Sequence, residues 1–337
     1  MLSIFGHEVR AGDMVVLEPP IGKLLGHDTI TMPTLVICGK RKGPTLLVTA
    51  AIHGDEINGV EIVRRLLYAS WARRVRGCLI AIPIVNVFGV MQRSRYLPDR
   101  RDLNRCFPGS ASGSLGARMA HFLTEDVLKK VDMAIDLHTG AIGRTNLPQI
   151  RVSPDNPTAM EMALAFGAPV VLTSELKEGT FRNAGDALGI PVITYEAGEA
   201  LRYDQPSIIA GVNGVRNVLE QVGMIRTRVR KKKIQPAVAP SSSWVRSPTD
   251  GFFRTVTQLG ARIRKGDILG YVSGPLKMDE TAIVAPFSGI IVGQNQIPQV
   301  YEGEALYHVA RFERVTEAEA AVDKFQATMT DMIDIRD

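Results

Sequence analysis

Cysteine is scarce in this chain. Cys38, Cys78 and Cys106 are odd in number and far apart, which excludes a scaffold built on disulfides and leads us to expect reduced thiols in a cytoplasm. Cys38 and Cys78 lie in apolar runs and read as core packing. Cys106 has no general base beside it in sequence, which argues against a thiol nucleophile. Long apolar runs are also missing, so no membrane span is expected. The opening MLSIFGHEVRAGDMV has neither the basic start nor the apolar core of a secretory signal. Excess charge is lacking too: +5 over 337 residues does not by itself call for nucleic acid. The basic run at Arg226, Arg228, Arg230 and Lys231 to Lys233 has no aromatic residues between its charges, and it reads as a solvated face or linker. The expected protein is cytoplasmic, with no membrane or nucleic-acid partner.

What is present suits a globular protein with a large core and more than one domain: 45% hydrophobic and 22% charged residues. The most informative stretch is AAIHGDEINGVEIVRRLL, residues 50–67. TLLVTAAI (45–52) is a short continuous apolar run, as in a strand buried on both faces. KRKGP (40–44) reads as the turn before it. Val60, Val63, Leu66 and Leu67 then recur at helical spacing. His53 and Glu56 therefore fall where the chain leaves the carboxyl end of a central strand, the edge at which open α/β sheets bind ligands. A second histidine stands in the same situation. In DMAIDLHTG (132–140) an apolar strand runs into His138, and Thr139-Gly140 turns the chain.

Imidazole and carboxylate are both zinc ligands, and catalytic zinc has three protein ligands and one open position. His53, Glu56 and His138 can meet around one ion if their strands share a parallel sheet. Each histidine could instead cap its own strand, but two at matching strand ends, one with a carboxylate three residues on, favour a metal.

Other elements follow in order. Residues 1–44 read as short strands: Asp13 to Leu17, Thr29 to Thr31 and Leu35 to Cys38. CLIAIPI (78–84) is another buried strand. Residues 86–110 form an irregular loop rich in arginine. Arg93 and Arg100 read as solvated. Asn104-Arg105 differs, because Leu103 and Phe107 should anchor it, and a fixed guanidinium grips a carboxylate with two parallel hydrogen bonds. Another arginine could stabilise charge developing on a carbonyl. A helical stripe runs from Leu115 to Val127, and another helix covers Met160 to Leu164. Strands are expected at 170–172 and 190–196, the second ending on Glu196. Glu196 suits either a general base near activated water or a partner for backbone or an arginine, and Glu199 is its rival. Residues 207–223 read as a closing helix.

From 249 to 310 short apolar runs alternate with glycine turns, as in an all-β module. KGDILGYV, Leu276-Lys277-Met278, Ala285-Pro286 and Ser288-Gly289 resemble a biotinyl/lipoyl-type hammerhead, in which Lys277 would sit at the carrier hairpin. The flanks and spacing around Lys277 depart from the carrier pattern, so the expectation is the fold without the modification. Thr316 and Glu319 form a capping-box pattern, followed by an amphipathic tail of Val322, Phe325, Met329 and Met332. That tail packs on its own chain or on a neighbouring subunit, so a homo-oligomer stays open.

Four motifs in order, HGDE (53–56), SRYLP with DLNRCFPG (94–109), DLHTG (136–140) and YEAGE (195–199), together resemble the succinylglutamate desuccinylase/aspartoacylase family, which belongs with the zinc carboxypeptidase fold. The resemblance covers nearly the whole chain. It implies an α/β fold with a mixed or parallel sheet flanked by helices, plus a C-terminal all-β, hammerhead-like domain. Divided this way, residues 1–227 are a catalytic domain, 228–248 a linker, 249–315 the β-rich domain and 316–337 a terminal helix. It implies one Zn2+ per chain on His53, Glu56 and His138, and hydrolysis of the amide of a small N-acyl amino acid. Glu196 matches the general acid/base, Asn104 and Arg105 the carboxylate-binding pair, and Arg95 the arginine facing the carbonyl. The spacer at 97–101 is longer than in aspartoacylase, which makes Arg101 a competitor. The alternatives are a zinc metallocarboxypeptidase acting on short peptides and a non-catalytic ligand-binding protein on this fold.

Overall fold

The computed structural model describes residues 1–23, 28–226, 235–276 and 280–334, with side chains to residue 330 in the last helix. Arg228, Arg230, Lys231 to Lys233, Lys277 and Met278, and the side chain of Met332, lie outside the described residues.

One mixed sheet organises the chain. Its main strands are β1 (Met14–Leu17), β2 (Thr34–Cys38), β3 (Arg41–Ala50), β4 (Arg76–Ile82), β5 (Met133–Gly140), β6 (Arg144–Val152), β7 (Val192–Glu199), β8 (Ser241–Arg246), β9 (Gly289–Asn295) and β10 (Ala305–Arg311), and three short strands, Val170–Thr173, Ala237–Ala239 and Arg262–Ile263, pair beside them. Across the sheet they run β8-β10-β9-β6-β7-β5-β3-β4-β2-β1. The central four, β7-β5-β3-β4, are parallel, and their neighbours β6 and β2 are antiparallel.

The apolar run in β3 is buried from both sides, as its composition requires. Leu46, Val48 and Ala50 face one core and Leu47 the other. The first core is closed by helices α1 (Asn58–Leu67) and α2 (Gln205–Gln221), through Ile62, Val63, Leu66, Ile208, Val215 and Leu219. The second holds Leu97, Leu103 and Phe107, so the arginine-rich loop is pinned from beneath. Gly59 permits α1 to sit on the strands, since a Cβ there would lie 2.6 Å from Ala50 Cβ and 2.9 Å from Leu137 Cβ.

Several expectations change. Residues 41–44 are the first part of β3 rather than a turn, because Arg41 already pairs with Arg76. β6 and the helix Phe181–Ala187 carry no clear periodic signal and went unread. Within the expected linker, Ala237–Ala239 is a strand that pairs in parallel with Val170–Thr173, and Ser241–Arg246 is β8. The β-rich module is not a separate sheet throughout: β9 pairs with β6 through Asn146↔Gly293, which continues the main sheet into it. A second, four-stranded sheet (Gly251–Thr255, Ile268–Ser273, Glu280–Val284 and Gln299–Val300) completes the module.

The terminal helix begins at Val315, so Thr316 is inside its first turn, and Glu319 pairs with Arg262 at 2.9 Å instead of closing a capping box. Cys38 and Cys78 are joined in a disulfide, contrary to the expected reduced thiols. The two residues are direct partners in the β2–β4 register, which brings their side chains together. Cys106 is free. No helix of the described residues is long and apolar enough to cross a membrane.

Candidate metal centre and active site

β3 and β5 are parallel, with Ala50 opposite Leu137. The turn after β3 and the end of β5 therefore reach the same rim. Ala51 leaves β3 with φ 52°, a strained conformation for a residue with a Cβ. The turn is braced from two sides. Val85 and Asn86 donate to the carbonyls of Ala50 and Ala51, and Asn58 Nδ2 donates to Ala197 O at 3.2 Å.

The result is a compact group. His53, Glu56 and His138 are all buried, and their ligand atoms lie within 4.8 Å of one another. His53 Nδ1 is 2.7 Å from Glu56 Oε1 and His138 Nδ1 is 2.8 Å from Glu56 Oε2. Each imidazole turns its other nitrogen to an aspartate: His53 Nε2 to Asp102 at 3.0 Å and His138 Nε2 to Asp136 at 2.7 Å. A carboxylate on the far nitrogen of a ligating histidine fixes the ring and raises its basicity. Two imidazole nitrogens, each ring oriented from behind, and one carboxylate are a donor set that could hold a metal ion and suits zinc.

The charges in this group are strongly coupled. Burial alone would raise Glu56, but the two flanking imidazoles override it and hold the carboxyl well below the usual range. Burial alone would lower both histidines; Glu56 and Asp102 push His53 up, and Asp136 and Glu56 push His138 up. Asp102, despite its burial, is held low by His53 and Arg95.

The group lies in a cleft of about 240 Å³. Glu196 lines it and stands directly across the β7–β5 register from His138. Its carboxylate takes a hydrogen bond from Asn146 Nδ2 at 2.7 Å and lies 2.8 Å from Arg151 Nε. The rival Glu199 is engaged by Gly143 N and Thr145 Oγ1, both at 3.1 Å, and does not line the cleft. Arg95 reaches Glu56 Oε1 at 3.1 Å and Asp102 Oδ2 at 3.0 Å. Its competitor Arg101 is exposed, nearest Asp99 at 3.9 Å, and is not part of the cleft. Asn104 and Arg105 both line the cleft; Asn104 Oδ1 accepts from Phe181 N at 2.8 Å, and Arg105 is exposed.

Sequence reasoning missed several lining groups. Arg151 comes from β6 and Arg182 from the helix after Thr180. Arg182 donates through Nη2 to Ser174 Oγ at 2.9 Å, while its buried Nη1 has no partner among the described residues. Burial and the adjacent Arg151 bring Arg182 down to about 10. Trp244 of β8 forms part of the wall, with the Arg144 guanidinium 5.1 Å from its ring centre. Asp102 and Asp136 were inside the quoted motifs. Asp136 stands two residues before His138 on a strand, hence on the same face, a signal that could have been read.

The sequence profile of the succinylglutamate desuccinylase/aspartoacylase catalytic domain matches residues 42–222. An N-alpha-acetyl-L-2,4-diaminobutyric acid deacetylase of Halomonas elongata is 27% identical over 254 residues, 72% of this chain and 74% of that one. The product-bound ectoine utilization protein of Ruegeria pomeroyi superposes with a TM-score of 0.79 at 26% identity, covering 88% of this chain and 94% of that one. A succinylglutamate desuccinylase/aspartoacylase structure from Rhodobacter sphaeroides gives 0.77 at 25% identity, over 89% and 95%.

Proposed function

The chain belongs to the succinylglutamate desuccinylase/aspartoacylase family, and from that premise we propose that it is a zinc-dependent hydrolase that cleaves the amide of a small N-acyl amino acid. The observation that carries this reading is the convergence of His53, Glu56 and His138 in a cleft where Glu196 faces His138. Relatives acting on N-acetylated amino acids, such as the diaminobutyric acid deacetylase, support the substrate class.

His53, Glu56 and His138 would hold the zinc, with Asp102 and Asp136 fixing the two rings. Zinc held there supplies a Lewis acid that brings water toward ionisation near neutral pH and polarises the acyl carbonyl. Glu196 accepts the water proton and returns it to the departing amine. Its free-state partner Arg151 is well set to exchange Glu196 for a substrate carboxylate. Arg95, alongside Glu56, faces the carbonyl oxygen as negative charge develops there. Asn104 and Arg105, assisted by Arg151 and Arg182, hold the substrate carboxylate. The partly desolvated, incompletely paired guanidinium of Arg182 supports that role, since an anion would complete its hydrogen bonding. The small cleft with Trp244 in its wall favours compact substrates over peptides.

A panel of N-acetyl, N-succinyl and N-formyl amino acids, assayed with zinc for free amine, tests the proposal. Release of amine from one class supports it. Release of C-terminal residues from peptides with no action on the panel would favour a carboxypeptidase instead.

A further inference from the structure

At the other end of β3 lies a second concavity with no part in the chemistry above. Arg41 opens β3 and Arg76 opens β4, and the two are partners in the parallel register. Arg41 and Ala50 are the two ends of a ten-residue strand, about 30 Å apart at the usual rise, so this groove and the His53, Glu56 and His138 group sit at opposite ends of the central strands. Its volume is about 850 Å³, within the range of small-molecule sites.

The lining is strongly one-sided. Arg41, Arg73, Arg76 and Arg226 contribute, with Lys40 and the half-buried ring of Trp71, and no lining residue is an Asp or Glu. None of these five cations has an ion pair with a described carboxylate. Arg74 and Arg216 are engaged already, with the Ser70 carbonyl and the Glu220 carboxylate respectively. Arg76 Nε is buried yet has no hydrogen-bond partner among the described residues. Like charges gathered in a concavity focus a positive potential, and a buried donor left unmade is costly. Both features are relieved by a multivalent anion. Guanidinium groups outnumber ammonium groups here, and the planar fork of arginine matches phosphate in a bidentate manner.

We propose that this groove binds a small, multiply phosphorylated anion of nucleotide size. The concave shape and limited volume favour a compact ligand. A single aromatic ring, rather than a series, gives no platform for successive bases of a single strand.

Isothermal titration calorimetry tests this on the full-length, zinc-loaded protein, with excess magnesium so that the probe does not strip the metal. The probes are tripolyphosphate, ATP and a thirty-nucleotide single-stranded DNA. The expected result is one site for tripolyphosphate or ATP. That binding weakens at least tenfold in the double variant Arg41→Glu/Arg73→Glu and is retained in Arg182→Ala. Tighter binding of ATP than of tripolyphosphate would assign the ligand to nucleotides, and equal binding to the phosphate chain alone. Both reversed residues are exposed and far from the metal group, so an unchanged melting temperature shows that the variant is folded. Absence of binding overturns the proposal. So does binding that disappears with Arg182 instead, which would mean the anion occupies the cleft. DNA bound more tightly than either phosphate probe would make the groove a nucleic-acid surface and refute a small-ligand site.

Discussion

Asp136 Oδ2 lies 2.7 Å from His138 Nε2, which directs the Nδ1 of that ring inward to Glu56. Thr49 Oγ1 in turn donates to Asp136 Oδ1 at 2.8 Å, so the orienting carboxylate is itself held. Asp136→Asn should therefore leave the fold intact and weaken zinc binding about ten- to a hundredfold. Titration against a competing chelator measures this. An unchanged zinc affinity would deny Asp136 its orienting role.

Glu196→Gln removes the proton acceptor but keeps the shape of the side chain and its bond from Asn146. Zinc content should equal that of the parent protein, and turnover should fall about a hundred- to ten-thousandfold. Steady-state rates paired with metal analysis give both quantities. Near-normal turnover would move the base to another group.

Arg182→Ala should act on substrate binding. Losing one charge-assisted bond to a carboxylate costs on the order of 1.5–3 kcal/mol, so KM should rise roughly ten- to a hundredfold with a smaller change in kcat. A fall in kcat at constant KM would instead assign Arg182 to the transition state.

The sheet and the meeting of His53, Glu56 and His138 were legible for a simple reason. Two apolar strands, each with a histidine at or just past its carboxyl end, suit the centre of a sheet, and parallel pairing then brings both ends to one rim. Leu103 and Phe107 were legible as anchors because apolar residues in a charged loop have only the core to enter. Other features depend on which strands become neighbours, and local pattern does not record that. The Cys38–Cys78 bond follows from the β2–β4 register. The approach of Trp244 to the cleft follows from β8 and β9 joining the main sheet through β10 and β6. Arg151 and Arg182 lie in no motif and went unread, since only the folded chain brings them beside Glu196.

His308 offers a test of the junction between the two β regions. It is buried beneath Trp244, with ring centres 4.7 Å apart, and bonds Ser242 Oγ through Nε2 at 2.9 Å. Burial, with Arg151 nearby, lowers it to about 3. The unfolded chain takes up this proton near pH ~6.5 and the folded chain only near 3, so stability is lost as pH falls between those values. The loss approaches about 1.4 kcal/mol per pH unit. Thermal melts from pH 7 to 4 should show a shallower decline for His308→Gln than for the parent. Parallel curves would show that His308 does not titrate in this way.

The most direct test of the account is an anomalous difference map from zinc-grown crystals, with data collected on both sides of the zinc absorption edge. The account requires one strong peak among His53 Nδ1, Glu56 and His138 Nδ1, about 2.0–2.1 Å from each nitrogen, with Glu196 facing the open coordination position. No peak there, or a peak bound through the Nε2 atoms that now face Asp102 and Asp136, would contradict it.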